Sequence, residues 1–278
     1  MIPGMASPVE EALSCFGRKN DDAIDIAEAA LMIAVIDCPD APLDAYRGHL
    51  RQLAVESAEA TRGAQSPEEK FDAVNAVLFE RHDCQGDSET YDDMQNANLM
   101  RVIDRRKGLP VALGILYIHV ARAQSWRCHG TNFPAHFIVR LESDEGVIMI
   151  DPFHGGRKIG RYALERQLES ALGEGAELKP EHCAAIGNHG VLIRLQNNIK
   201  LRAIQGGDIA RAAEGLHTII LIAPDQAAPH CELAALHARQ GEMKAAVGLL
   251  GNFVVETANP GARDSAQAYL ASLRSHLH

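Results

Sequence analysis

Aromatic side chains are scarce in this chain of 278 residues, at 5% of the total with a single tryptophan, and long apolar runs are missing altogether. The most hydrophobic early stretch, residues 27–36, is flanked by acids and is about half of the ~20 residues a helix needs to cross a bilayer. The opening MIPGMASPVEEALSCF has no basic segment leading into an apolar one, so no secretory signal is expected and the cytoplasm is the expected compartment. Basic excess is absent too: 27 Lys and Arg stand against 37 Asp and Glu, and the first ninety residues carry −11 of the net −10. Nucleic acid is a poor partner for such a charge balance. The six cysteines, Cys15, Cys38, Cys84, Cys128, Cys183 and Cys231, include no CxxC pair, which excludes a zinc ribbon and leaves no disulfide framework. Reduced thiols are expected, and no cofactor motif is recognised.

What is present is an ordinary globular composition, 46% hydrophobic and 23% charged, in a chain long enough for two compact units. Residues 1–19, with Pro3, Gly4, Pro8 and Gly17, read as a flexible lead-in. Three helical segments follow. DDAIDIAEAALMIAVIDCPD opens on aspartates suited to a helix amino end, and in SPEEKFDAVNAVLFERH Ser66 is the expected N-cap with Pro67 at the first helical position. A polar stretch then leads into a helix presenting Leu99, Val102 and Ile103, which Gly108 ends.

Pro110 starts a nearly continuous apolar helix, VALGILYIHVARA, that must be buried on most sides. After Ser125 the period changes to two: CHGTNF, HFIVRL and VIMIDPF read as strands, with SDEG turning between the last two. His136 is expected to open one strand and Asp151, fifteen residues on, to close the next. Adjacent antiparallel strands can bring such a pair together as the base and orienter of a nucleophilic set. A glycine loop and the helix RYALERQLESALGEG complete this part, and residues 175–190 read as a linker.

Residues 191–278 differ in kind. IKLRAIQGGDIARAA matches LAALHARQGEMKAAV at a shift of thirty-four, pairing Gly207 with Gly241, Asp208 with Glu242 and Ala212 with Ala246. That is the tetratricopeptide period, with Pro224 and Pro260 placed to end the second helix of each unit. Two such repeats fall short of the three or so needed for independent stability.

The ordered pieces NANLMRVIDRRKGLPVALGILYIHVARAQ, GTNFPAHFIVRL and MIDPFHGG resemble the SirB1-type branch of the transglutaminase-like superfamily, and coupling to carboxy-terminal tetratricopeptide repeats is similar to that branch as well. The resemblance covers roughly residues 20 to 260. It implies an α+β fold: a papain-like core of helices on a small antiparallel sheet over residues 20–174, then an all-α repeat segment. It also implies that His136 and Asp151 match the family's catalytic histidine and acid. The cysteine position falls on Pro110 or one of its neighbours, Leu109 and Val111, none of which is a nucleophile. No serine or threonine lies between Arg101 and Gln124 to replace the thiol.

A displaced thiol is the alternative, with Cys128 on the strand before His136 the best candidate and Cys84 a lesser one. The same pair also has a purely structural account, His136 satisfying a buried Asp151 while Pro110 simply presets the first helical turn. Arg105, Arg106, Lys107, Asn132 and Arg157, with Lys158 and Arg161 beyond, are the expected groove rim, which a partner of acidic character would suit. His129, His136, Asp151 and His154 lie close in sequence and three of them could in principle gather around zinc, but strand alternation argues against it and the spacing matches no strong metal motif, so no metal is expected. The resulting expectation is a non-catalytic, protein-binding or regulatory module whose partner is a protein or peptide. A cysteine-dependent peptide-amide hydrolase or acyltransferase using Cys128 is the competing expectation, and a scaffold without a groove is a third.

Overall fold

A computed structural model describes residues 7–275 and divides them into two compact units: residues 20–191, and residues 192–275 together with 7–19. The unit of residues 20–191 begins with α2 (Ile26–Val35), α3 (Leu43–Ala60) and α4 (Pro67–Asn75), the last running into a π-helical turn at Ala76–Arg81. Ser66 and Glu69 close a capping box at the start of α4, with Pro67 at its first position. At α2 the cap is Asp25, whose carboxylate accepts from the Ala27 and Glu28 amides. The earlier Asp21 is turned to other use: it accepts from the Asn188 and His189 amides at the start of α8 (Asn188–Gln205).

The next elements are β1 (Gln85–Gly86), α5 (Leu99–Arg105), β2 (Lys107–Gly108) and α6 (Pro110–Ala123). β1 and β2 form a short parallel pair that sets Gly86 against Gly108, two residues before α6. Nearly every residue of α6 from Pro110 to Ala121 is buried, as its unbroken hydrophobicity requires. The main sheet runs β6-β5-β4-β3-β7, all neighbours antiparallel, with β3 (Arg127–Thr131), β4 (Val139–Ser143), β5 (Gly146–Asp151), β6 (Arg157–Lys158) and β7 (Ala185–Ile186). α6 packs on β3 and β4, and α7 (Arg161–Leu172) brings Leu164 and Leu168 against Phe133 and Ile138.

Three expectations need correction here. His136 lies three residues before β4 in an irregular turn rather than at the head of a strand, because Pro134 and the left-handed Ala135, φ 56°, break the extended run. The linker of residues 175–190 contributes β7, which hydrogen-bonds along β3 at Gly130 and Thr131 and so forms one edge of the sheet. The flexible lead-in holds a helix, α1 (Pro8–Gly17), fixed by a capping box of Ser7 and Glu10. Leu13 and Phe16 supply its buried face, which the proline and glycine content concealed. Residues 1–6 of that lead-in lie outside the described residues.

The second unit consists of α1, the later part of α8, α9 (Ile209–Ile222), α10 (Ala227–Arg239), α11 (Met243–Glu256) and α12 (Pro260–Ser275). α1 packs on α9 so closely that a Cβ at Gly17 would lie 2.2 Å from the Leu221 carbonyl oxygen. The thirty-four-residue period is physical: Gly207 and Gly241 both adopt positive φ, 76° and 80°. The residue after each donates its amide back across the turn, Asp208 to Ala203 and Glu242 to His237. Ala212 and Ala246, wholly buried, let the paired helices close. α12, which starts at Pro260, covers α10 and α11 through Ala266, Leu270 and Leu273. Among the described residues no helix is long and apolar enough to cross a membrane, and all six cysteines are unpaired.

Candidate functional site

The carboxylate of Asp151 is wholly buried at the end of β5 and is surrounded by donors. Its Oδ1 accepts from the backbone amides of Phe153 and His154, so Asp151 caps the 3-10 turn Pro152–His154. His136 Nε2 lies 3.0 Å from the same oxygen, and His154 Nδ1 lies 2.8 Å from Oδ2. Arg157 brings a guanidinium nitrogen to 3.6 Å of Oδ2. Burial alone would raise the pKa of this carboxyl, but the two imidazoles outweigh it and hold the group down at about 2. Asp151 is therefore an anion near neutral pH, and both histidines are oriented by it.

Two glycines explain why His136 is where it is. Phe137, the next residue, sits between α6 and β3. A Cβ on Gly114 would come within 2.3 Å of its ring, and one on Gly130 within 2.6 Å. Gly114 is one turn into α6 from Pro110. The preceding turn is tight, its His136 amide donating to the Pro134 carbonyl at 2.7 Å across the left-handed Ala135. A non-glycine residue held in that region marks a position fixed by its surroundings.

The acid is anchored to the same end of the helix by a separate route. Phe153 lies against Gly86, where a Cβ would meet the Phe153 carbonyl oxygen at 2.4 Å, and Gly86 is paired with Gly108 beside Pro110. On its outer side Phe153 meets Tyr91 edge to face at 5.6 Å and the His154 ring at 5.2 Å. Beyond the turn, Gly155 and Gly156 both have positive φ, and the Gly156 carbonyl accepts from Asn75 at 2.8 Å beside the π-helical turn. A side chain at Gly156 would collide with Phe79.

At the start of α6 itself no side chain can attack a substrate. Pro110 occupies the first helical position, and Leu109 and Val111 on either side are buried hydrophobic residues. Cys128 belongs elsewhere, wholly buried on β3 opposite Leu141, and burial pushes its thiol up to about 12 against the weaker pull of Arg122. Burial likewise raises Cys84 to about 11. Neither sulfur belongs to the cluster formed by His136, Asp151 and His154, and neither thiol is ionised near neutrality.

The expected rim is divided by the structure. Arg157 joins the carboxylate, but Arg105 is spent on Asp87 and Asn96, both at 2.8 Å, and Lys107 on Glu89 at 3.2 Å. Arg106 is exposed in a left-handed conformation. Asn132 stands past the end of β3 with its amide bonded to Ala184, on the β7 side of the sheet rather than the β5 side. His129 faces Arg122, with 3.4 Å between its Nδ1 and a guanidinium nitrogen, and is not part of the cluster.

The residue that the sequence reading set aside from the pair is His154. Strand alternation separated it from Asp151, yet the chain leaves β5 at Asp151 and turns, and a turn of three residues folds the imidazole back onto the carboxylate. The signal was the Asp-Pro pair, which favours a capped turn over a continuing strand.

Residues 44–197 match a family model described as the transglutaminase-like superfamily. A UPF0162 protein of Xylella fastidiosa, strain Temecula1, is 30% identical over 215 residues, which span 74% of this chain and 75% of that protein. A UPF0162 protein of Vibrio cholerae serotype O1 is 29% identical over 174 residues, 62% of this chain and 64% of its own length. The similarity extends to mouse F-box only protein 21, which is 30% identical over 114 residues, 37% of this chain but 18% of that protein.

Proposed function

The chain belongs to the transglutaminase-like superfamily, and from that premise we propose that it is a SirB1-type member without a thiol nucleophile, a binding or regulatory module carrying tetratricopeptide-like repeats. One observation carries this reading: Pro110 begins α6 between buried Leu109 and Val111, while His136 and Asp151 remain hydrogen-bonded at 3.0 Å. Acyl transfer by this fold needs a thiolate at the amino end of the helix, within reach of the imidazole. Here the base and its orienter remain without a group to deprotonate. Cys128, buried and protonated, does not supply one.

The binding half of the reading is supported by the helical unit. Leu201 and Ile204, a turn apart on α8, and Val255 on α11 are exposed apolar side chains. The partner is a protein or peptide, met in the cytoplasm, where unpaired cysteines stay reduced.

Two experiments test the two halves. The purified full chain is treated with an amide-mimicking electrophile of the kind that traps cysteine hydrolases, and intact mass is read. The expected result is no modification that depends on His136. Stoichiometric modification of Cys128, abolished by His136→Ala, would replace this reading with the cysteine-dependent hydrolase. Separately, the immobilised full chain is compared with a Leu201→Glu, Ile204→Glu double variant. A partner retained by the first and lost by the second is expected, and retention of no partner by either removes the binding role.

A further inference from the structure

We propose that His136, Asp151 and His154 bind one first-row divalent cation, with zinc the best fit. The proposal deepens the reading above and rests on it, since a dyad serving a thiol would not be free for a metal. Each of the three residues offers one ligand atom, and the three atoms lie within 4.8 Å of one another. Zinc takes imidazole nitrogen at about 2.0–2.1 Å and carboxylate oxygen at about 2.0–2.2 Å, which places tetrahedral ligand atoms roughly 3.3 Å apart. The nitrogen-to-oxygen separations already present, 3.0 Å to Oδ1 and 2.8 Å to Oδ2, are close to that spacing, and the two imidazole nitrogens, no more than 4.8 Å apart, draw in on the shared cation.

The chemistry of the exchange is simple. At present a proton bridges each imidazole to the carboxylate. A cation replaces both bridges: His136 binds through Nε2 and His154 through Nδ1, and each ring carries its proton on the other nitrogen instead. Asp151 is already ionised and stays so. Its orientation comes from the Phe153 and His154 amides on Oδ1, donors of the kind that fix metal-binding carboxylates and whose loss usually costs a site dearly.

Two imidazoles and one carboxylate make a borderline N/O set that suits zinc and ferrous iron better than thiophilic or purely oxygen-seeking ions. Three protein ligands leave a fourth position, and it opens outward, because the His154 side chain is 46% exposed whereas the carboxylate is fully covered. Arg157, 3.6 Å from Oδ2, opposes a cation there, and its side chain, 56% exposed, has water to move into.

The test uses the full chain stripped with a chelator and dialysed. Zinc is added in a calorimeter, and cobalt(II) is added separately as a visible probe. One equivalent of zinc is expected, with a cobalt spectrum typical of nitrogen and oxygen ligands that zinc then bleaches. His154→Ala and Asp151→Asn are expected to weaken zinc binding by about tenfold or more. Should Asp151→Asn fail to fold, His154→Ala at a half-exposed turn still decides the matter. No saturable binding, binding indifferent to His154→Ala, or a thiolate-to-cobalt band would each overturn the proposal. Modification of Cys128 by the electrophile would instead sink the thiol-free reading, and the two failures are read by different instruments.

Discussion

The middle of β3 and the end of β5 each bury one acidic side chain completely, Cys128 in the first and Asp151 in the second, yet their chemistry is opposite. The thiol is pushed up to about 12 and the carboxyl is held at about 2. Burial penalises the charged form in both places. What differs is the company. Cys128 has only the weaker charge pull of Arg122, whereas Asp151 accepts from two backbone amides and two imidazoles. A reactive group therefore needs donors built around it, and of these two side chains Asp151 has them.

The most severe way to break that comparison is to place a carboxylate where no donors exist. Cys128→Asp is expected to cost about 4 kcal/mol or more at neutral pH, the penalty of a buried charge without partners, with partial recovery in mild acid as the group protonates. Urea denaturation at two pH values reads both. Next in size is Asp151→Ala, expected to lose about 3 kcal/mol because two imidazoles and two amides are left without their acceptor. A loss under about 1 kcal/mol would mean that the donors are satisfied by water and that the turn does not depend on the acid.

Acid titration sharpens the same point without a mutation. The carboxyl of Asp151 is lower in the folded chain than its ordinary 3.8, so its contribution is complete above about pH 4 and is lost as pH falls towards about 2. That depression corresponds to about 2 kcal/mol. Melting curves from pH 5 to 2 are expected to show this decline in the natural chain and a flatter profile in Asp151→Asn. The smallest effect is at the thiol. Cys128→Ala is expected to cost about 1 kcal/mol through the small void it leaves, with His136 and Asp151 undisturbed. Its alkaline counterpart has the reverse sign: the unfolded thiol ionises near its ordinary 9 while the folded one resists to about 12, so stability falls as pH rises above 9, and Cys128→Ala removes that share of the fall.

Several features could be read from residues alone because their causes are local. Ser66 with Glu69 makes a capping box wherever it occurs, Pro110 fits the first turn of a helix, and the thirty-four-residue spacing of Gly207 and Gly241 marks two equivalent turns. Others could not be read. α1 conceals a buried Leu13 and Phe16 in a segment whose prolines and glycines suggest looseness, and β7 is two residues long and becomes a strand only because β3 presents an edge to it. Such elements are decided by what they meet, and short segments carry too few residues for a pattern.

The sequence by itself determined that the apolar helix α6 begins at proline, that no serine or threonine lies along it, and that a histidine and an acid follow in order. These are matters of identity and spacing, which folding cannot alter. Tertiary structure alone decided that His154 joins His136 on the carboxylate, that Arg105 and Lys107 are taken up by Asp87 and Glu89, and that Cys128 is sealed in the sheet. Hydrogen bonds and ion pairs act over about 3 Å, and which side chains come that close depends on two turns, Pro134–His136 and Pro152–His154, that Phe137 and Phe153 pin against glycines.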